Sequence, residues 1–304
     1  MITPVGSALA GQRVDRAVSL LTGLPRTDVV RLVAAGAVRV GGRPVAARSR
    51  RLAEGEELEV DIPGPPSPVA LAPDPSVVVP VVHEDDDVLV VDKPAGLVVH
   101  PGAGRIGGTL VHGLLAAYPD LAGVGGDLLR PGIVHRLDKG TSGLLAVARS
   151  AVAHQSLVAQ LQARTVERRY LALVWGRVES DAGLIDAPVG RGRGDPTRMA
   201  VSTSGRDART RYWVVQRFGR PVPTTLVECR LETGRTHQVR VHLAAIGHPL
   251  VGDAAYGGAR STLPAPRPFL HARDLAFDHP VSGARLSFSS PLPADFAGIL
   301  ATLE

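Results

Sequence analysis

Apolar positions along the chain follow two different regimes, separated by a proline-rich break. In the first, Val14, Ala17, Val18 and Leu21 recur at helical spacing and stop at Gly23, which predicts an amphipathic helix ended by glycine. A second helical pattern runs from Thr27, placed to cap it, through Val29, Val30, Leu32 and Val33 to Gly36. Short alternating stretches follow, AVRV before Gly41-Gly42 and ELEVDI after the turn near Gly55, and these read as strands. Two helices and a hairpin predict a compact unit over residues 11–62. Residues 63–79 hold six prolines and no basic residue, which favours an extended linker over a core.

From residue 80 to 304 the pattern becomes short Val- and Leu-rich stretches between Gly and Pro turns. VLVVD (88–92) and LVVHP (97–101), joined by Lys93-Pro94-Ala95-Gly96, predict a strand, a turn and a second strand. HQSLVAQLQAR (154–164) has helical spacing, whereas RYLALVWGRV, ARTRYWVVQRF, TTLVECRLET and ARLSFSS read as strands. Strands outnumber helices without regular βαβ alternation. The expected fold class is α+β, a mixed, largely antiparallel central sheet beside the small N-terminal unit.

Hydrophobic residues make up 44% of the chain and charged ones 21%, an ordinary globular balance. The longest apolar runs, such as LVAL and LLAVA, fall far short of the ~20 residues that span a bilayer. The N-terminus has no basic start followed by an apolar block, so no secretory signal is expected. A lone cysteine, Cys229, excludes an internal disulfide and a cysteine-rich zinc site. A cytoplasmic protein with no membrane partner is the simplest expectation.

A net charge of +5 suits a polyanionic partner. Lys93 and Lys139 are the only lysines, so 34 − 2 = 32 of the cations are arginine; coding bias in a GC-rich genome accounts for that imbalance. Arg13, Arg16, Arg31 and six further arginines crowd residues 11–62. Such a face suits contacts to an RNA backbone, and a merely solvated basic surface would look the same. Metal binding is not expected, because His237 and His242, or His100 and His112, form no convergent trio of ligands. The glycines at 102, 104, 107 and 108 match neither phosphate-binding pattern, and Thr141-Ser142-Gly143 lacks a nucleophile elbow.

The segment Gly132-Ile-Val-His-Arg-Leu-Asp-Lys-Gly-Thr-Ser-Gly143 sets a polar loop between apolar stretches, with Asp138 between Arg136 and Lys139. Cations on both sides favour an ionised carboxylate, as a nucleophile or base requires; a structural Asp–Arg pair would satisfy the same pattern. HRLDKGTSG resembles the central motif of the large ribosomal RNA type of pseudouridine synthases. The resemblance continues in order through Asp92–Pro101, Arg168–Ala172, Leu231–His242 and His248–Asp253, and covers residues 80–304. It departs at Gly140, where the family often carries an acidic residue.

The resemblance implies a pseudouridine synthase fold and isomerisation of uridine in structured RNA without any cofactor. It assigns Asp138 as the catalytic carboxylate, Tyr170 as the active-site tyrosine and Arg240 as the basic partner of Asp138. Arg136 would enter the base stack that the target nucleotide leaves, and Arg235, Arg198 and Arg193 would meet phosphates. Residues 11–62 resemble the α-L RNA-binding module, a common companion of this family. The implied partner is large-subunit ribosomal RNA or its assembly particle, with transfer RNA as the second candidate, and the implied state is a monomer. A noncatalytic RNA-binding or ribosome-assembly protein on the same scaffold is the alternative class, and it would be marked by a missing Asp, Tyr or Arg.

Overall fold

The computed structural model describes residues 1–62, 71–102, 107–192, 195 and 198–304. Its backbone divides into two compact units, Met1–Val69 and Ala70–Glu304. Of the expected linker, residues 63–70 lie outside the described residues.

In the first unit, helices Val14–Thr22 and Arg26–Ala34 pack on a four-stranded antiparallel sheet ordered Ile2–Pro4, Glu57–Val60, Val38–Val40, Arg43–Pro44. The helical stripe expected from spacing is the buried one: Val14, Ala17, Val18 and Val29 share a core with Val38 and Leu58. The second helix begins at Arg26 after Pro25 and has no side-chain cap, so Thr27 lies inside it and does not cap it. Proline supplies the turn into the helix without needing a donor. The edge strand Ile2–Pro4 carries the unit back to residues before 11; three residues are too few to show a period.

The second unit is built on a nine-stranded sheet. Along its path run Val81–Glu84, Val88–Lys93, Ser142–Ala148, Leu270–Asp278, Glu167–Trp175, Thr224–Leu231, Arg209–Phe218 and Ala182–Asp186, and Arg285–Ser289 pairs with Leu270–Asp278. Every pairing is antiparallel except that of Ser142–Ala148 with Leu270–Asp278. Leu89, Val91, Leu145 and Val147 enter one core with Ala172 and Val174. Val88, Val90, Leu144 and Ala146 enter another with Ala153 and Leu157 of helix Ala151–Ala163. Burial on both faces explains why VLVV and LLAVA are unbroken apolar runs.

Three further helices, Leu110–Ala117, Gln238–Ala245 and Ala294–Leu300, were not foreseen. Residues 110–115 and 238–243 are buried throughout, so no polar face marks the helical period. The expected strand LVVHP is absent. Instead the carbonyls of Val98 and Val99 accept from the N–H groups of Leu110 and Val111 at 2.8 and 3.1 Å, and so dock the start of the helix. No described helix is long and apolar enough to cross a membrane.

Candidate active site

Asp138 sits on the loop that leads into strand Ser142–Ala148. Chain reversal is closed by the Thr141 N–H, which donates to the Asp138 carbonyl at 3.0 Å. Where the loop becomes strand, Gly143 has φ +110°, and a Cβ there would lie 2.2 Å from the Ala272 carbonyl oxygen. Only glycine fits this crossing, which opens the one parallel pairing of the sheet.

Two buried cations hold the loop from below. Lys93 is fully buried, and its ammonium donates to the carbonyls of Pro94 and Leu97, both at 2.9 Å, and of Lys139 at 3.5 Å. Burial lowers its pKa to about 7, against the opposing pull of Asp138. The Gly96 N–H donates to the Lys139 carbonyl at 2.7 Å, so the turn after Val88–Lys93 supports the loop directly. Arg267 donates to the Gly140 carbonyl at 3.0 Å and is itself anchored by Asp295 at 2.6 and 2.9 Å.

Above the loop, helix Gln238–Ala245 presents Arg240. Its Nε and Nη2 grip both oxygens of Asp253 at 2.7 and 2.9 Å, and its Nη1 donates to Asp138 Oδ2 at 3.2 Å. Burial works against the charge on Arg240, but the two carboxylates more than reverse that and raise its pKa. His237 precedes the helix in a left-handed conformation, φ 57°. Its Nε2 lies 3.9 Å from Asp138 Oδ2, and its Nδ1 is hydrogen-bonded to the Tyr256 hydroxyl at 2.9 Å. Burial lowers the His237 pKa despite Asp138 nearby. The Tyr256 ring lies 5.0 Å from the Arg240 guanidinium, within cation–π range.

A cleft of about 290 Å³ opens over Asp138 and Arg240 and is lined opposite by Tyr170 and Arg168 of strand Glu167–Trp175. Tyr170 is 5% exposed; burial raises its pKa, and Arg168 pulls the other way. The cleft therefore joins a carboxylate fixed by a guanidinium to a buried phenol. That combination can add to or deprotonate a sugar or base and relay a proton.

Residues 87–245 match the family described as RNA pseudouridylate synthase. The chain is 47% identical over 279 residues to an uncharacterized RNA pseudouridine synthase of Bacillus subtilis (strain 168), covering 92% of this chain and 89% of that protein. It is 50% identical over 236 residues to a protein of Pseudomonas aeruginosa named ribosomal large subunit pseudouridine synthase D, covering 74% of this chain and 71% of that one. The solved structure of human RNA pseudouridylate synthase domain containing 1 matches with TM-score 0.60 and 28% identity, over 76% of this chain and 90% of that chain. This chain belongs to the RNA pseudouridylate synthase family. It isomerises uridine to pseudouridine in RNA.

Within this pseudouridine synthase, Asp138, Tyr170, Arg240, Arg136 and Arg235 line the same cleft. Arg136 is exposed, and Arg235 is partly committed, its Nε donating to the Asp207 carbonyl at 3.1 Å. Arg198 is exposed and lies 5.3 Å from the Tyr256 ring, beside the Arg240 network. Arg193 lies outside the described residues. Arg13, Arg16 and Arg31 belong to the first unit, where Arg13 pairs with Asp15 at 2.8 Å, Arg31 with Asp28 at 3.2 Å, and Arg16 is exposed. Sequence reasoning missed the part of His237, Tyr256 and Arg168, and took Asp253 only as the end of a motif. A readable signal existed for Asp253 alone, as a carboxylate closing the apolar stretch Pro249-Leu250-Val251, where an isolated charge needs a partner.

Proposed function

We propose that Asp138 is the carboxylate that opens the glycosidic bond of the target uridine. The observation that carries this reading is the pairing of Asp138 with Arg240 at 3.2 Å in a cleft that also holds Tyr170. Arg240 engages Oδ2 alone, and Oδ1 has no hydrogen bond among the described residues, so one oxygen stays available to the nucleoside. Asp253 in turn holds Arg240 by two bonds and fixes its direction.

Isomerisation breaks the bond from C1′ to N1, turns the uracil and joins C5 to C1′. Overall composition is unchanged, so the step consumes no cofactor. Tyr170 stacks on the freed ring and takes part in removing the C5 proton. A paired uridine must first leave its stack at a cost of roughly a few kcal/mol, and Arg136 fills the gap with its planar guanidinium. Arg235 and Arg198 meet flanking phosphates, as do Arg13, Arg16 and Arg31 of the first unit, which acts as an α-L RNA-binding module.

The substrate is large-subunit ribosomal RNA, handled by a monomer in the cytoplasm. The name of the Pseudomonas aeruginosa relative supports this choice. Mapping pseudouridines in cellular RNA with and without this protein tests it. Loss of specific sites in large-subunit RNA, restored by the wild-type gene and not by Asp138→Asn, is the expected result. Changes confined to transfer RNA would overturn the substrate, and no change anywhere would overturn the activity in cells.

A further inference from the structure

Both Arg240 and Arg168 are buried in the wall of the cleft, at 8% and 7% exposure. Arg240 has two carboxylates within 3.2 Å. Arg168 has none: among the described residues it makes no ion pair, and its Nε has no hydrogen-bond partner. A buried cation without a counter-charge is costly, and such a group facing a cavity is a place where a ligand's charge can compensate.

Position strengthens the case. Arg168 and Tyr170 are two residues apart on one strand, so their side chains share a face, and both line the cleft with Asp138. Gly234 leaves the guanidinium its room, since a Cβ there would lie 2.9 Å from Nη1. The neighbouring imidazoles of His135 and His100 each have an Nδ1 without a partner. Burial, reinforced by nearby arginines, lowers their pKa values to about 3 and about 4, so they are neutral near pH 7. Among the described residues Asp138 is the single carboxylate lining this cleft, and Arg240 already engages it.

We propose that Arg168 binds the uracil ring while the ring carries the negative charge released as its bond to C1′ breaks. Heterolysis leaves both bonding electrons on the ring, spread over N1, O2 and O4. This holds whether Asp138 attacks the ribose or removes a sugar proton; where it adds to C6 of the base, the charge rests on N1 and O2 alone. When C5 then bonds to C1′, the C5 proton is lost, N1 gains one proton, and the ring is neutral again. Arg168 is thus a cation reserved for an anion that exists only between bond breaking and bond making. The inference rests on the proposed role of Asp138.

The test uses large-subunit ribosomal RNA purified from cells lacking this protein, with the full-length enzyme in excess. Arg168→Met is expected to slow the single-turnover rate by about 100-fold with RNA affinity nearly unchanged, and Arg168→Lys to restore part of it. Should Arg168→Met fail to fold, Gly234→Ala serves instead, because it keeps the charge and only displaces Nη1; a drop of about 10-fold is expected. On a transcript of the mapped target carrying 5-fluorouridine, fluorine already stabilises the ring anion. The loss in glycosidic cleavage caused by Arg168→Met should therefore shrink. Weakened affinity at a normal rate would make Arg168 a phosphate contact, as its place beside Arg164 and Arg235 in the adjoining groove would allow. That outcome, an unchanged rate, or equal losses on both transcripts overturns the proposal. An active Asp138→Asn enzyme would instead sink the reading of the site beneath it.

Discussion

On the helix side of the cleft, Arg240 faces two carboxylates; on the sheet side, Arg168 faces none among the described residues. The first arrangement is neutralised before substrate arrives, and its energy goes into geometry: Asp253, 1% exposed, orients Arg240, and Arg240 orients Asp138. The second keeps its charge unspent in a wall of neutral imidazoles and a phenol. A site that must hold both an ionised carboxylate and, briefly, a detached anionic ring needs cations of both kinds. One alone would either quench the carboxylate or leave the ring without a counter-charge.

The sharpest way to break this contrast is at its centre. Asp138→Asn keeps the shape of the carboxylate and its contact to Arg240, and should abolish turnover by roughly 10⁴-fold or more while leaving RNA affinity intact; a rapid mutant in a single-turnover assay would end the assignment. Tyr170→Phe preserves the ring and removes the proton-bearing oxygen. Its rate should fall by about 10²–10⁴-fold with an almost unchanged melting temperature, since the hydroxyl has no protein partner among the described residues. Equal damage to stability and rate would make it a packing residue.

Stability separates the two walls further. Arg240→Met leaves Asp253 buried and unpaired, at a cost of about 3–5 kcal/mol measurable by denaturant titration. The double variant Arg240→Met with Asp253→Leu should recover most of that stability and none of the activity. On the sheet side, acid is the probe. Unfolded His135 and His100 take up protons below about 6.5, while folded they hold out to about 3 and about 4. Between those values the unfolded state binds more protons, so the stabilising contribution falls as the pH drops. His135→Gln should flatten this acid limb; an identical slope would mean that ring is protonated in the folded protein. The smallest effect is expected in the first unit. Arg16→Ala or Arg31→Ala should lower the magnitude of the salt slope of RNA binding by about 0.7–0.9 each, with the saturated rate untouched.

Much of this architecture could be read before any coordinates. The strands at VLVV and LLAVA and the helical stripe on Val14, Ala17 and Val18 follow from local composition. Asp138, Tyr170 and Arg240 stood in ordered motifs, and the structure gathers them around one cleft. LVVHP failed as a strand because a short apolar run docks a helix as readily as it joins a ladder, and here the Val98 and Val99 carbonyls accept from the start of a helix. Helices 110–117 and 238–245 escaped notice because their buried residues leave no polar face to count.

What the sequence determined on its own was membership and chemistry: a family, an order of motifs, and the kinds of side chain the reaction demands. Which of two buried arginines is neutralised is a different kind of fact. Arg240 meets a carboxylate 102 residues away along the chain, whereas Arg168, flanked in sequence by Glu167, turns its guanidinium to the opposite face of the strand and meets none among the described residues. Strand alternation and long-range packing settle that, because charge compensation depends on distance in space, and neighbours in sequence point away from each other on a sheet.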